Sequence, residues 1–259
     1  MSDLAWEALD LMVGMSLWAL SAVTPQRRMP SRPEFAWDVA GLICVTVFVI
    51  YSEEILDTLL EWGSETSTAS AWGTRVQALP LWALVLANVA LVDCCAYWAH
   101  RALHSRWLWT THAWHHAPKH MYWMAGVRGS PIHTLVLSSS YVVGYLVFPL
   151  PESAAIVAGI VLLNIVNQHY LHSNLCWPWA RQLEWVLVTS RMHLVHHSAY
   201  QPRTNSNYGF IFSIWDRLFG TWTDPDTVPA DDPLGLDYEA ANWRLLLGIP
   251  ARRSTGVAP

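Results

Sequence analysis

Residues 83–116 read ALVLANVALVDCCAYWAHRALHSRWLWTTHAWHH, and the change of character at residue 100 decides the fold. Before it the chain is apolar back to Ala78, so Ala78–Ala99 has the roughly 17–25 residues that cross a bilayer as a helix. From it onward histidines recur at helical spacing. His100 and His104 are four apart, and His112, His115 and His116 stand at i, i+3 and i+4, so each set shares one helix face. The stretch reads as a membrane helix that ends on an imidazole-rich cap.

Three more apolar stretches surround it: Phe35–Tyr51, Ile132–Phe148 and Ser153–Tyr170. Pro149-Leu150-Pro151-Glu152 joins the last two in a tight turn, and the polar, acidic residues Ser52–Gln77 read as a loop between the first two. The predicted fold is all-α and membrane-integral, with about four transmembrane helices in two hairpins, capped by a cytosolic helical domain that holds the histidines. Leu4–Val23 is apolar but carries Glu7 and Asp10; it reads as a further span or as an interfacial amphipathic helix. It has no basic leader, so a cleaved signal peptide is not expected. Three parts follow: a membrane-associated segment 1–34, a catalytic membrane domain 35–225 and a tail 226–259. A soluble bundle of unusually apolar helices is the alternative.

Composition agrees with a membrane protein. Hydrophobic residues are 53% and charged residues 14%, against roughly 25% charged in a soluble domain. This excludes a disordered chain. A net charge of −5, with one lysine among the fifteen Lys and Arg residues, argues against a nucleic-acid partner. The 17 tryptophans suit a large membrane–water boundary. The four cysteines form no framework and read as reduced, buried thiols. Arg27, Arg28, Arg32, Arg101, Arg106, Lys119, Arg128 and the later arginines all fall on one side of the predicted spans. The positive-inside rule places the histidines and the C-terminus in the cytoplasm. The preference for arginine over lysine points to a GC-rich bacterium, hence to a bacterial inner membrane.

All 12 histidines lie between residues 100 and 197. HYLH brings His169 and His172 to the exit of the last span, and HLVHH adds His193, His196 and His197. Crossing parity returns them all to one side. Ten of them, His100, His104, His112, His115, His116, His169, His172, His193, His196 and His197, form one-sided sets suited to metal. One ion takes roughly four to six ligands, so ten imidazoles suit two ions. The chain has no Cys pair and no HExxH, which disfavours a zinc finger or zincin, and haem would leave most of the histidines unused. A redox-active pair, iron above all, fits best; imidazole sites also take zinc in purified material.

The runs HRALH, HAWHH and HLVHH resemble those of the fatty acid hydroxylase/sterol desaturase superfamily of integral membrane di-iron enzymes. Asp93, Tyr97, Trp98, His100 and Arg101 match its Asp-x3-Tyr-Trp-x-His-Arg run. His172-Ser173-Asn174, Met192–Ser198, Asn207-Tyr208-Gly209 and Trp215–Trp222 resemble its remaining elements. The resemblance covers about 80–225. It implies O2-dependent hydroxylation or desaturation of a lipid-like substrate, with two iron ions and electrons from an external ferredoxin or cytochrome b5-like protein with its reductase. It also places Asn174 at the catalytic site. Asp93 lies seven and eleven residues before His100 and His104, on their helix face, and is expected to orient a ligand's second ring nitrogen. The chain departs from the family at Arg128–His133: Ser130 stands for a histidine, and His133 stands where an acid is usual. His133 is expected to replace the missing group near the metals. Asn164 and Asn167 read as site-lining or helix-bridging, and Tyr122-Trp123-Met124 reads as an interfacial anchor. Two other classes stay open: a zinc-dependent membrane lipid hydrolase or isomerase, and a non-catalytic metal-binding membrane protein.

Overall fold

In a computed structural model of the protein, the described residues are 3–29, 32–68, 71–151 and 153–250. They are all-helical, with isolated β-bridges but no strand among them. The longer helices are α1 (Asp3–Val23), α2 (Phe35–Thr68), the short α3 (Ala71–Gln77), α4 (Leu81–Leu103), α5 (Trp109–His116), α6 (Pro131–Val147) and α7 (Ala154–Leu171). Short helices follow: α8 (Ala180–Leu183), α9 (Ser190–His196), α10 (Gln201–Thr204), α11 (Ile214–Leu218) and α12 (Asn242–Leu246).

Local chemistry sets the boundaries that matter. Pro80 precedes α4, and Pro149 and Pro151 block any continuation of α6. Ser130 caps α6 by accepting from the His133 amide, with Pro131 preset for the first turn. Thr189 caps α9 in the same way by accepting from the Met192 amide. The expected loop Ser52–Gln77 is instead helical: α2 continues to Thr68, and α3 runs from Ala71 to Gln77. Its Glu and Leu residues are good helix formers, and no proline interrupts them.

Among the described residues, three helices are long and apolar enough to cross a membrane: Ala5–Val23, Leu81–Leu103 and Ala154–Leu171. The first is the segment left open between span and interfacial helix. The apolar parts of α2 and α6, Phe35–Phe48 and Pro131–Val147, are shorter. Glu152, in the α6–α7 turn, lies outside the described residues.

Packing does not follow the expected hairpins. α6 lies between α4 and α2, and α7 packs along α1. Gly144 lets α4 and α6 approach closely, since a Cβ there would stand 2.2 Å from Val92 Cγ2. Between α6 and α7 lies a cavity of about 900 Å³, also walled by α1, α2 and α4. Tyr141 on α6 spans the gap with a 3.0 Å bond to Asn164 Oδ1 on α7.

The segments flanking 35–225 join the same core. Leu245 of α12 packs against Ala113 and Trp114 of α5, and Trp18 of α1 packs beside Tyr122. Tyr122 and Trp123 are buried, not interfacial. The Tyr122 hydroxyl donates to Asp38 Oδ2 at 2.6 Å, and Trp123 lies against Gly14. The four cysteines are unpaired, but none is buried as expected: Cys44, Cys94 and Cys95 are half-buried and Cys176 is exposed.

Candidate metal centre

The histidines arrive from the C-terminal end of α4, from α5, from the end of α7 and from α9. They form two groups. His100, His104, His112, His116 and His196 make the first; His115, His172, His193 and His197 make the second. Within each group one nitrogen per ring lies within 4.8 Å of the others. α5 sends His112 and His116 to the first group and His115 to the second. α9 does the reverse, sending His193 and His197 to the second and His196 to the first. The groups abut through three stacked ring pairs: His112–His115 at 5.0 Å, His116–His197 at 4.4 Å and His193–His196 at 5.3 Å.

Hydrogen bonding fixes which nitrogen faces inward. A backbone carbonyl only accepts, so the ring nitrogen facing it carries the proton. His100 Nδ1 donates to Tyr208 O at 2.9 Å and His196 Nδ1 to Ser206 O at 2.7 Å. His115 Nδ1 donates to Arg128 O at 3.1 Å and His172 Nδ1 to Gln168 O at 2.8 Å. Each of these four rings therefore presents a bare Nε2 lone pair. Yet His100 Nε2 and His196 Nε2 stand 3.0 Å apart, and His115 Nε2 and His172 Nε2 stand 3.2 Å apart. Two lone pairs face each other with no proton to share. His104 Nε2 is buried with no hydrogen-bond partner among the described residues. A cation in each group relieves both conditions, so the residues fit a pair of metal ions.

Burial supports the neutral ligand state. It holds His104, His112, His115, His116, His193, His196 and His197 well below the usual 6.5, and the neighbouring imidazoles add to it. Burial lowers His172 to about 4.

The remaining candidates lie elsewhere. His169 is outside both groups: its Nε2 faces Asp10 Oδ1 of α1 at 2.9 Å, and its ring meets Trp123 edge-on. His133 touches the first group from outside, with its Nδ1 2.8 Å from His112 Nδ1. Asn174 exchanges bonds with the backbone of Arg27, donating to its O at 2.7 Å and accepting from its N at 3.2 Å. Asp93 orients no imidazole. Its carboxylate accepts from the Ile211 and Phe212 amides and from Trp215 Nε1, at 2.9, 2.8 and 2.8 Å. Carboxylates were expected behind the ligands; backbone carbonyls stand there instead. Asn164 and Asn167 both line the cavity and bridge elements, Asn167 Nδ2 donating to Phe210 O at 3.2 Å.

Other contributors carry no histidine signal. Arg128 is fully buried; its guanidinium pairs with Asp38 at 2.6 Å and Glu34 at 3.0 Å while its carbonyl holds His115. Gly126 lies against the His172 ring, where a Cβ would meet Cγ at 2.3 Å. The cavity reaches this region: Gly126–Gly129 and His133 line it, with apolar walls that include Leu42, Val45, Ile160 and Val161.

The family model for fatty acid hydroxylase matches residues 85–221. An alkylglycerol monooxygenase of Xenopus tropicalis is 32% identical over 132 residues, covering 51% of this chain and 28% of that protein. An ornithine lipid hydroxylase of Rhizobium tropici is 29% identical over 160 residues, covering 61% and 46%. A very-long-chain aldehyde decarbonylase of Oryza sativa subsp. japonica is 29% identical over 152 residues, covering 56% of each chain. The matches thus span between 28% and 56% of these relatives. No solved structure matches the chain.

Proposed function

Because the chain belongs to the fatty acid hydroxylase family, we propose that it is a membrane-bound, O2-dependent oxygenase that hydroxylates a lipid-like substrate at an unactivated C–H position. One observation carries this reading: nine imidazoles, eight of them buried, stand in two abutting groups beside a largely apolar cavity walled in part by membrane-length helices. Bound in the two groups, a pair of iron ions supplies the capacity to activate O2 against such a bond, which no side chain has.

The chain's own residues do the rest. His100, His104, His112, His116 and His196 hold one ion, and His115, His172, His193 and His197 hold the other. The carbonyls of Tyr208, Ser206, Arg128 and Gln168 fix ring tautomers and orientations. His133 does the same for His112: the proton on His112 Nδ1 is directed at His133 Nδ1, which leaves His112 Nε2 free for metal. The cavity walls hold an apolar chain and exclude water, while Asn164, Asn167 and Tyr141 meet its polar portion. We read 35–225 as the part that carries chemistry, with α1 and the tail closing its walls. We assign the histidines and the C-terminus to the cytoplasmic side of a bacterial inner membrane, where an external ferredoxin or cytochrome b5-like donor reaches them.

The relatives include a monooxygenase, a hydroxylase and a decarbonylase, so the test must separate outcomes. Cells with and without the protein are profiled for lipids under 18O2. Label in a new hydroxyl supports hydroxylation, and a new double bond indicates desaturation. A shortened hydrocarbon indicates the decarbonylase outcome. A product formed equally without O2 overturns the oxygenase reading and favours the zinc hydrolase or isomerase.

A further inference from the structure

The stretch 207–223 follows an unusual course. It leaves the level of the histidines, descends beside α4 and returns. Its two ends are pinned together: the Asn207 amide donates to Thr221 O at 2.9 Å, and the Thr223 amide donates to Asn207 Oδ1 at 2.9 Å. Asn207 makes the turn with a positive φ of 53°, a conformation asparagine tolerates. Going down, Tyr208 O meets His100, and Ile211, Phe212 and Trp215 then meet Asp93. Coming back, the Thr221 hydroxyl meets the Tyr97 hydroxyl at 2.8 Å. Asp93 stands ten residues before the end of α4, hence about 15 Å down a helix of membrane length.

At that depth water is scarce, and irregular backbone survives only if its polar groups are satisfied internally. Here they are. Asp216 accepts the Tyr208 and Gly209 amides at 2.7 and 2.9 Å, and Asp93 accepts those of Ile211 and Phe212. The Ser213 amide donates to Val186 O at 3.0 Å. Phe210 O receives Asn167 Nδ2, and Ile211 O receives the Val188 amide at 2.8 Å. Its most exposed side chains are apolar: Ile214 is 52% and Leu218 65% exposed, beside Trp185 at 72% and Val186 at 59%, with the half-buried Arg217 guanidinium lying over the Trp185 ring at 4.8 Å. In water such a patch is unfavourable. It continues the apolar outer face of α4, where Trp98 is also exposed.

We infer that residues 207–223, with the adjoining stretch 183–188, form a re-entrant element seated in the acyl-chain layer of the bilayer against α4, with Asp93 standing in for water on its backbone. The charge that looked like a site residue is the cost-bearing group of a membrane insertion. The inference depends on α4 crossing the membrane and not on which metal the histidines hold.

The test uses the full chain in membrane fragments open on both faces. Leu218→Cys and Val186→Cys are each paired with Ala230→Cys, an exposed control. They are treated with a charged maleimide or an uncharged, lipid-soluble one, and labelling is read by peptide mass spectrometry, so the native cysteines do not interfere. The expected result is labelling of position 230 by the charged reagent and of 218 and 186 by the lipid-soluble reagent alone. Position 230, in the same molecule, shows that the charged reagent has access, and retained metal content at the level of the unaltered chain shows that the variant has folded. In the unaltered chain, a phospholipid with a photoreactive group at mid-chain should crosslink to peptides covering 183–188 and 210–219. Labelling of 218 and 186 by the charged reagent at the rate of 230 overturns the proposal. So does failure of the lipid-soluble reagent and the photoreactive lipid to reach them, since protein rather than lipid would then cover the patch.

Discussion

Replacing Gly126 by alanine adds one methyl group and should cost the enzyme one metal ion. The new Cβ would lie 2.3 Å from His172 Cγ and 2.4 Å from its Nδ1. Ordinary carbon contacts begin near 3.4 Å, so the ring must retreat by about 1 Å, because a close-packed interior cannot absorb the overlap. The ring is not a loose end: Nδ1 is bonded to Gln168 O at 2.8 Å, and Gln168 Nε2 is bonded to Gly126 O at 3.0 Å. Ligand distances tolerate about 0.2 Å, so a retreat of that size removes His172 from a group of four. Overpacking of this kind costs roughly 1–3 kcal/mol, which leaves the fold intact. The first group does not use His172 and should keep its ion. Metal analysis of purified Gly126→Ala should therefore fall from two ions per chain towards one, with turnover lost. Gly159→Ala is the control, since a Cβ there meets nothing within 4 Å. Full metal content and full turnover in Gly126→Ala would refute the assignment of His172 as a ligand held by this contact.

Other outcomes follow from the same geometry. His133→Ala leaves all nine converging imidazoles but unfastens His112; metal affinity should drop about 10–100-fold without being abolished, as measured by competition with a chelator. His169→Ala should retain both ions, because its ring bonds to Asp10 and reaches neither group; loss of metal would bring His169 back as a ligand. Asp93→Asn replaces an acceptor of three N–H groups by an amide that also donates, leaving a buried N–H unmet. The stability loss should be about 1–3 kcal/mol, read by thermal unfolding in detergent. Acidification should release metal and weaken the apo fold. Burial keeps the folded imidazoles below 6.5, so below that pH the unfolded chain takes up protons that the folded chain refuses, and stability falls with pH. Stability that rises as pH drops from 6.5 to 5 would contradict the buried, neutral state.

Much of the site was readable in advance because helical spacing is local information. The i, i+3, i+4 pattern placed His112, His115 and His116 on one face, and so it did for His193, His196 and His197. It could not show that each set divides between two groups, because that depends on how α5 and α9 face each other. Nor could it separate His169 from His172: His172 caps α7 just past its last turn, where helical spacing no longer sets the direction of the ring, while His169 inside the helix faces α1. The partners of the ligands were invisible for a different reason. A backbone carbonyl such as Tyr208 O or Ser206 O belongs to no residue type and leaves no mark in composition. Periodicity sets Asp93 on the face of α4 that carries His100 but says nothing about its neighbour, which comes from a loop 118 residues later. Tyr122 and Trp123 suited an interface by type, yet Asp38 and Gly14 draw them inside.

That separation along the chain also imposes a timetable. Synthesis delivers α4 long before Tyr208, whose carbonyl holds His100, 108 residues downstream. Domains fold broadly from the N-terminus as the chain emerges, so the membrane-length helices α1, α4 and α7 settle while His100 and His104 still lack their partners. The last histidine helix and the loop after it then dock onto an arrangement already committed to the membrane. Maturation therefore waits on the final quarter of the chain, and a nascent protein halted before residue 206 holds every histidine but neither of the carbonyl clamps on the first group.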